Sequence, residues 1–322
     1  MDRISLDSPE FEGDNSVYLL QTETSTVLVD TGVSSADCWH QLRDGLQSFG
    51  FAPADLDAVL VTHWHYDHAG LAARLQEVSD ATVYAHELDV PLVERDPGAV
   101  QQFRDRHESF VAACGVPARE RESLFETIDG GYALAGDSAA VTPLEDGAVL
   151  SFDDCDLEVF HTPGHTLGHI GFAFEGDHGP EAFLGDALLP VYTPNVGGAD
   201  LRVDDPLARY VDSLERIADR NFDTVWPGHR EAIHDPAARA HDILDHHRER
   251  SERVVEVLDD RGPSSVWAVA SALFGSLENE HVLHGVGEAH AHLAHLADHG
   301  VLQRDGDEFS VADEDAHASE FI

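Results

Sequence analysis

His63, His65, Asp67 and His68 fall within six consecutive positions, directly after the apolar run Leu56 to Val61. Three imidazoles and a carboxylate so close together suit a borderline cation such as zinc, which takes nitrogen and oxygen donors at about 2.0 to 2.2 Å. Further ligand types follow strand-like runs downstream. His165 comes after Leu157 to Phe160, in His161-Thr162-Pro163-Gly164-His165-Thr166; Asp186 follows Phe183-Leu184-Gly185; His229 follows Val225-Trp226-Pro227-Gly228. Upstream, Asp30 ends the run to Val29, ahead of Thr31-Gly32. A side chain at the end of a strand rests on a rigid scaffold, and its loop can aim it into a cleft.

In order and approximate spacing over residues 15 to 235, these features resemble the five ordered motifs of the metallo-β-lactamase-fold hydrolases. The resemblance implies an α/β fold, an αββα sandwich with two metals in the cleft between its halves. It assigns His63, His65 and His165 to the first metal, Asp67, His68 and His229 to the second, and Asp186 to both. Two zinc ions are implied, with iron or manganese as alternatives. Two such cations share a water and lower its pKa towards neutrality, so that a bridging hydroxide attacks an acyl carbonyl or phosphorus. Asp67 is expected to orient that nucleophile or accept its proton. Asp30 is expected below the site, fixing a histidine's tautomer, or else capping the Thr31-Gly32 turn. His161 and His169 flank His165 out of step with the ligand pattern and are not assigned to metal. His86, His234, His241, His246 and His247 are read as surface or packing residues.

Departures from the pattern narrow the chemistry. Flavodiiron oxidoreductases carry Glu where this chain has His65, so zinc hydrolysis is expected over oxygen or nitric oxide reduction. Exported zinc β-lactamases lack the bridging carboxylate, which argues against antibiotic hydrolysis. The continuation His68-Ala69-Gly70-Leu71 is the general hydrolase form rather than a glyoxalase II signature. The expected activity is hydrolysis of small esters or thioesters, similar to glyoxalase II and its broader relatives. The alternative is an endoribonuclease, because the order of catalytic core and C-terminal module resembles a mitochondrial member with RNA as substrate. An iron-dependent thiol dioxygenase and a non-catalytic DNA-binding regulator are the remaining readings. The regulator fits seven ligands poorly, since a purely structural zinc site closes with four.

Elements must position these groups. Strand-like runs (Val17 to Leu20, Thr26 to Val29, Leu56 to Val61, Thr82 to Tyr84, Leu157 to Phe160, Ile170 to Phe174, Ala182 to Leu184, Thr224 to Trp226) alternate with helical segments Ala36 to Phe49, Ala69 to Val78 and Pro206 to Ala218. Residues 1–261 are read as the catalytic domain. Residues 94–145 interrupt the rhythm with helical apolar spacing at Val100, Phe103, Phe110 and Val111, and form either a lid over the site or a packing excursion. The turn-rich loop Leu189 to Gly198 either lines the cleft, offering Tyr192 and Asn195 to substrate, or simply reverses the chain. A helix over Ile243 to Arg253 is expected to pack back on the core without chemistry.

From Gly262 to the C-terminus, helices over Ser265 to Phe274 and Gly287 to His299 and a hairpin at Asp305-Gly306 resemble a winged-helix module with an acidic tail. The second helix carries no Lys or Arg to meet phosphates, so a structural or dimerising use is expected over nucleic-acid binding. His292, His295 and His299 share one of its faces and are read as a solvated surface.

All 19 basic residues are arginine, against 62 Asp and Glu, for a formal charge of -43. A self-repelling surface of this kind is tolerable where salt shrinks the Debye length to about 3 Å at 1 M, which points to an extreme halophile. Disorder is excluded by an apolar fraction of 42% falling in periodic runs. Cys38, Cys114 and Cys155 form no close pair and are expected as reduced thiols. With no apolar leader and no long uncharged apolar stretch, a cytoplasmic protein without a membrane span is expected.

Overall fold

The structure is a computed structural model that describes residues 1–7, 13–176, 179–312 and 317–322. One sheet runs in the order β1 (Asp2–Leu6), β2 (Asn15–Gln21), β3 (Thr26–Val29), β4 (Ala58–Leu60), β5 (Thr82–His86) and β6 (Val141–Leu144), antiparallel up to β3 and parallel beyond it. The second holds β7 (Val149–Phe152), β8 (Cys155–His161), β9 (Ile170–Gly176), β10 (Gly179–Gly185) and β11 (Thr224–Pro227), paired in that order. Only β10 and β11 run parallel there among the described residues.

Side chains alternate across a strand, so an apolar run such as β2 feeds two cores at once. Tyr18 and Leu20 point between the sheets, where with Val29 and Leu60 they meet Val159, Phe172 and Phe183. Val17 and Leu19 point outward to Leu42 and Leu46 of α1 (Ala36–Ser48) and, beyond the single turn α2 (Tyr66–Ala69), to Leu75 of α3 (Ala72–Ser79). After the short α4 (Val90–Val93), the chain makes α5 (Pro97–Ala113) and α6 (Ala118–Gly131) before it reaches β6. On the second sheet's outer face, Tyr210 and Leu214 of α7 (Pro206–Asp219) and Ile243 of α8 (Pro236–Arg261) cover Phe160, Leu184 and Val225. The layers are therefore helix, sheet, sheet, helix. Asp-Pro pairs open α5, α7 and α8: Asp96, Asp205 and Asp235 each accept a first-turn N–H, and the proline follows where no N–H is needed.

The helical segment expected over 94–145 ends earlier. Val141–Leu144 pairs with β5 as an edge strand, and Pro143, which obscured it in the sequence, is tolerated because an edge strand has one unpaired side. Strands β1 and β7 were likewise not anticipated.

Beyond Gly262, α9 (Val266–Phe274) and α10 (Glu280–Asp298) pack with a small sheet of β12 (Ser264–Ser265), β13 (Leu302–Asp305) and β14 (Glu308–Val311), ordered β12-β14-β13. Their core is shared with Val111 and Leu124 of α5 and α6 and with Leu258 of α8. α10 begins seven residues before the expected Gly287. Gly285 and Gly287 masked it, and the second has a packing reason: a Cβ at Gly287 would collide with the backbone of Gly198. The expected solvated histidine face is also corrected. His292 and His295 are only 1% and 4% exposed, because α7 and α8 cover that side of α10. His247 donates to or accepts from His292 at 3.2 Å, and Ser251 Oγ pairs with His292 Nδ1 at 2.8 Å. No helix among the described residues is long and apolar enough to cross a membrane.

Candidate metal centre

Loops at the ends of strands in both sheets converge on one edge of the sandwich. Asp30 follows β3, His63 to His68 follow β4, His165 lies between β8 and β9, Asp186 follows β10, and His229 follows β11. Backbone bonds tie the two sheets together there: Ile170 N–H donates to Thr62 O at 2.9 Å, and Ser16 N–H to Gly228 O at 2.7 Å. Gly228 has no room for a side chain, because a Cβ would meet Asp186 and His68.

His63, His65, Asp67, His68, His165, Asp186 and His229 form one cluster, half-buried at His65 and buried elsewhere. His63 Nε2 lies 3.0 Å from His65 Nδ1, which lies 3.1 Å from His165 Nε2. On the other side, His68 Nε2 and His229 Nε2 each stand 3.4 Å from Asp67 Oδ2. Asp186 reaches both groups: Oδ1 is 3.5 Å from His68 Nε2, and Oδ2 is 3.4 Å from His229 Nε2 and 3.7 Å from His165 Nε2. These separations are near the roughly 3.3 to 3.6 Å expected between donors on one tetrahedral zinc. His68 Nε2 and Asp186 Oδ1 are buried without a hydrogen-bond partner among the described residues. Orphaned donor atoms facing a common centre fit a cation better than they fit each other.

The electrostatics point the same way. Burial opposes the charged forms of Asp67 and Asp186, yet the neighbouring His68 and His229 hold both carboxyls well below the usual range. Conversely, burial disfavours protonated His68 and His229, but the carboxylates lift His68 well above its ordinary value and His229 to about 10. The site thus demands positive charge. Burial and the neighbouring imidazoles push His63 well down and His65 to about 3, leaving their nitrogens free of extra protons.

Other groups orient the cluster. Asp30, with φ of 60°, accepts from Thr62 N–H at 2.8 Å and pairs with His68 Nδ1 at 2.8 Å. His169 is stacked on His63 and accepts from the Asp186 N–H at 3.0 Å, so it braces the backbone that carries Asp186. His161 turns away, stacking on His86 and pairing with Leu167 O. Asn195 holds His165 Nδ1 through its carbonyl at 2.8 Å, while its side chain bonds His284 O and Ala199 N–H. Both ends of that amide are bonded to the backbone. Tyr192 is half exposed beneath the Arg230 guanidinium. Asn15 gave no sequence signal, yet its side-chain amide donates to Asp67 Oδ2 at 3.1 Å from the start of β2. A further His247, Glu288 and His292 group lies between α8 and α10. Arg250 already neutralises Glu288 at 2.7 Å, so that group is satisfied without a cation.

A family model described as the metallo-beta-lactamase superfamily matches residues 11–229, a span that takes in every member of this cluster. The chain belongs to that superfamily. It is 26% identical over 298 residues to a probable metallo-hydrolase, YqjP, of Bacillus subtilis, covering 90% of both chains. A metallo-beta-lactamase family protein of Thermus thermophilus, TTHA1429, superposes with a TM-score of 0.83 at 28% identity, over 96% of this chain and 98% of that one. TTHA1623, solved in a di-iron-bound form, has a TM-score of 0.52 at 28% identity, over 74% of this chain and 98% of that one. This superfamily member is a metal-dependent hydrolase with candidate histidine and aspartate ligands.

Proposed function

We propose that the chain is a dinuclear zinc-dependent hydrolase of small esters or thioesters. The observation that carries the reading is the reach of Asp186 to histidines of both ligand groups. His63, His65 and His165 would hold one cation, Asp67, His68 and His229 the other, with Asp186 shared. When bound, such a pair supplies the charge that makes water nucleophilic at neutral pH and polarises a carbonyl oxygen.

The chain's own residues then divide the work. Asp67, anchored by Asn15, takes the proton of the attacking water. As the acyl C–S or C–O bond breaks, that proton is available to the leaving sulfur or oxygen, which balances the hydrolysis. Trp64 packs edge-on to His65 at 4.5 Å and to Phe103 of α5 at 4.8 Å, giving an apolar wall beside the first ligand group that suits an acyl chain. This contact supports α5 as a substrate-facing element.

The test is thiol release from a panel of acyl-thioesters by zinc-loaded protein in multi-molar KCl, with Asp67→Ala as control. Turnover abolished in the variant is expected, since a positioned acid-base group contributes about 10² to 10⁴-fold. Folded, zinc-loaded protein that turns over no thioester or ester but cleaves RNA would overturn the reading in favour of the endoribonuclease. Activity dependent on iron and oxygen would overturn it in favour of the dioxygenase.

A further inference from the structure

Among the described residues, Asp30, Asp67, Asp89, Asp186 and Asp200 are the buried acidic side chains. Three of them belong to the cluster and its support. Asp89, just before α4, and Asp200, in the loop before α7, do not touch it, and both are 1% exposed or less. They share Arg202. Its Nη2 lies 2.6 Å from both Asp89 Oδ1 and Asp200 Oδ2, its Nε is 2.9 Å from Asp200 Oδ1, and its Nη1 donates to Leu88 O at 2.7 Å.

Asp200 Oδ1 also accepts from the Arg202 backbone N–H at 3.0 Å, and the remaining bonds of the two carboxylates go to ligand loops. Trp64, between His63 and His65, gives its backbone N–H to Asp89 at 3.3 Å and its indole N–H to Asp200 at 3.2 Å. From the His165 loop, Thr166 Oγ1 and Gly168 N–H donate to Asp89 at 3.2 and 3.1 Å, and Leu167 N–H donates to Asp200 at 2.9 Å. Each carboxylate therefore grips both loops. A buried carboxylate needs charge compensation as well as hydrogen bonds, and a forked guanidinium supplies both to two carboxylates at once.

We propose that Asp89, Arg202 and Asp200 form a positioning unit that sets the spacing of His63 and His65 against His165, and so tunes the first metal position independently of the second. None of the three touches the reacting atoms. The second ligand group, Asp67, His68 and His229, receives no bond from the unit among the described residues. The inference rests on reading His63, His65 and His165 as metal ligands.

The probe is cobalt(II) titrated into chelator-stripped protein, read by calorimetry and by the visible ligand-field spectrum, with thermal melting in parallel. Arg202→Met should weaken one of two equivalents by about 10- to 100-fold, the loss typical of a missing outer partner, and leave the other unchanged. Arg202→Lys should recover part of the loss, because a single ammonium cannot fork between two carboxylates. Trp64→Phe deletes the indole N–H bond to Asp200 and trims the ring that packs on His65, leaves Asp89, Arg202 and Asp200 in place, and should weaken the same equivalent roughly two- to tenfold. Arg202→Met that is folded and binds both equivalents as wild type does would overturn the proposal, as would equal weakening of both. If Arg202→Met does not fold, an unchanged spectrum and affinity in Trp64→Phe would overturn it. Wild-type protein that takes up less than two equivalents would instead overturn the two-metal reading.

Discussion

Replacing Asp30 by Asn tests whether the second ligand group is tuned from outside. Asp30 is 3% exposed, and its carboxylate accepts from Thr62 N–H at 2.8 Å, pairs with Thr62 Oγ1 at 2.9 Å, and faces His68 Nδ1 at 2.8 Å. Its backbone φ of 60° is one that Asn tolerates nearly as well as Asp, whereas Ala would add strain. Asn can keep the bond to Thr62 N–H through its oxygen. The amide nitrogen then faces His68 Nδ1, donor against donor, unless the ring moves its proton to Nε2. Nε2 is the atom turned towards Asp67 and Asp186, and a protonated Nε2 cannot ligate.

Either outcome takes away what an outer partner supplies, about 10- to 100-fold in metal affinity, or about 1.4 to 2.7 kcal/mol. Calorimetric titration of zinc into stripped protein in multi-molar KCl should show one of two equivalents weakened by that amount. The equivalent assigned to His63, His65 and His165 should be weakened less, because Asp30 reaches it only through Thr62 Oγ1, which lies 3.1 Å from His63 Nδ1. Folded Asp30→Asn that binds both equivalents with wild-type affinity would refute the argument and leave Asp30 as a turn residue.

Metal removal should lower stability, because ligand bound only by the folded state contributes about 4 kcal/mol at a thousandfold excess over Kd, or roughly 6 °C in melting temperature for a chain of 322 residues. Equal melting with and without chelator would contradict the ligand assignment. Acid should loosen the contact of α8 with α10. Burial, with His246 and Arg250 nearby, pushes His247 down to about 3, and burial with His247 beside it pushes His292 well below its ordinary value. Below the ordinary value of 6.5 the unfolded chain binds the protons that these neutral rings refuse, so stability is full above that pH and falls as pH drops towards 3, by about 1.4 kcal/mol per pH unit for each ring. Denaturant titrations of wild type and His247→Gln at pH 7 and pH 5 should show a shallower loss in the variant; equal losses would refute it. The formal charge of -43 predicts a melting temperature that climbs as KCl screens the surface, and a flat profile from low to multi-molar salt would remove that reading.

The fold was legible where apolar runs were long or followed by rare residue types. β3 and α7 lie where the runs Thr26 to Val29 and Pro206 to Ala218 place them. β6 was hidden by Pro143 and the start of α10 by Gly285 and Gly287, since local propensity speaks against both and only packing decides for them. The burial of His292 and His295 was equally unreadable, because a histidine face looks the same whether α8 covers it or water does. The seven clustered residues were readable because histidine at those intervals is rare enough to carry information. Asn15 was not, because an amide at the start of a strand is ordinary until Asp67 is seen beside it.

The carboxylates show the same limit more sharply. With 62 acidic residues in the sequence, an aspartate that orients a ligand loop is indistinguishable from one that merely keeps the surface charged. Asp200 sits in Gly198-Ala199-Asp200-Leu201-Arg202, a stretch with no motif. Burial separates the two populations, because desolvating a charge is unfavourable unless partners offset it. The buried aspartates among the described residues all lie at the metal centre or in the unit gripping its loops. An acidic surface thus supplies no reason to bury Asp89 and Asp200, and their partners supply one: Trp64, between His63 and His65, and Thr166 to Gly168, directly after His165.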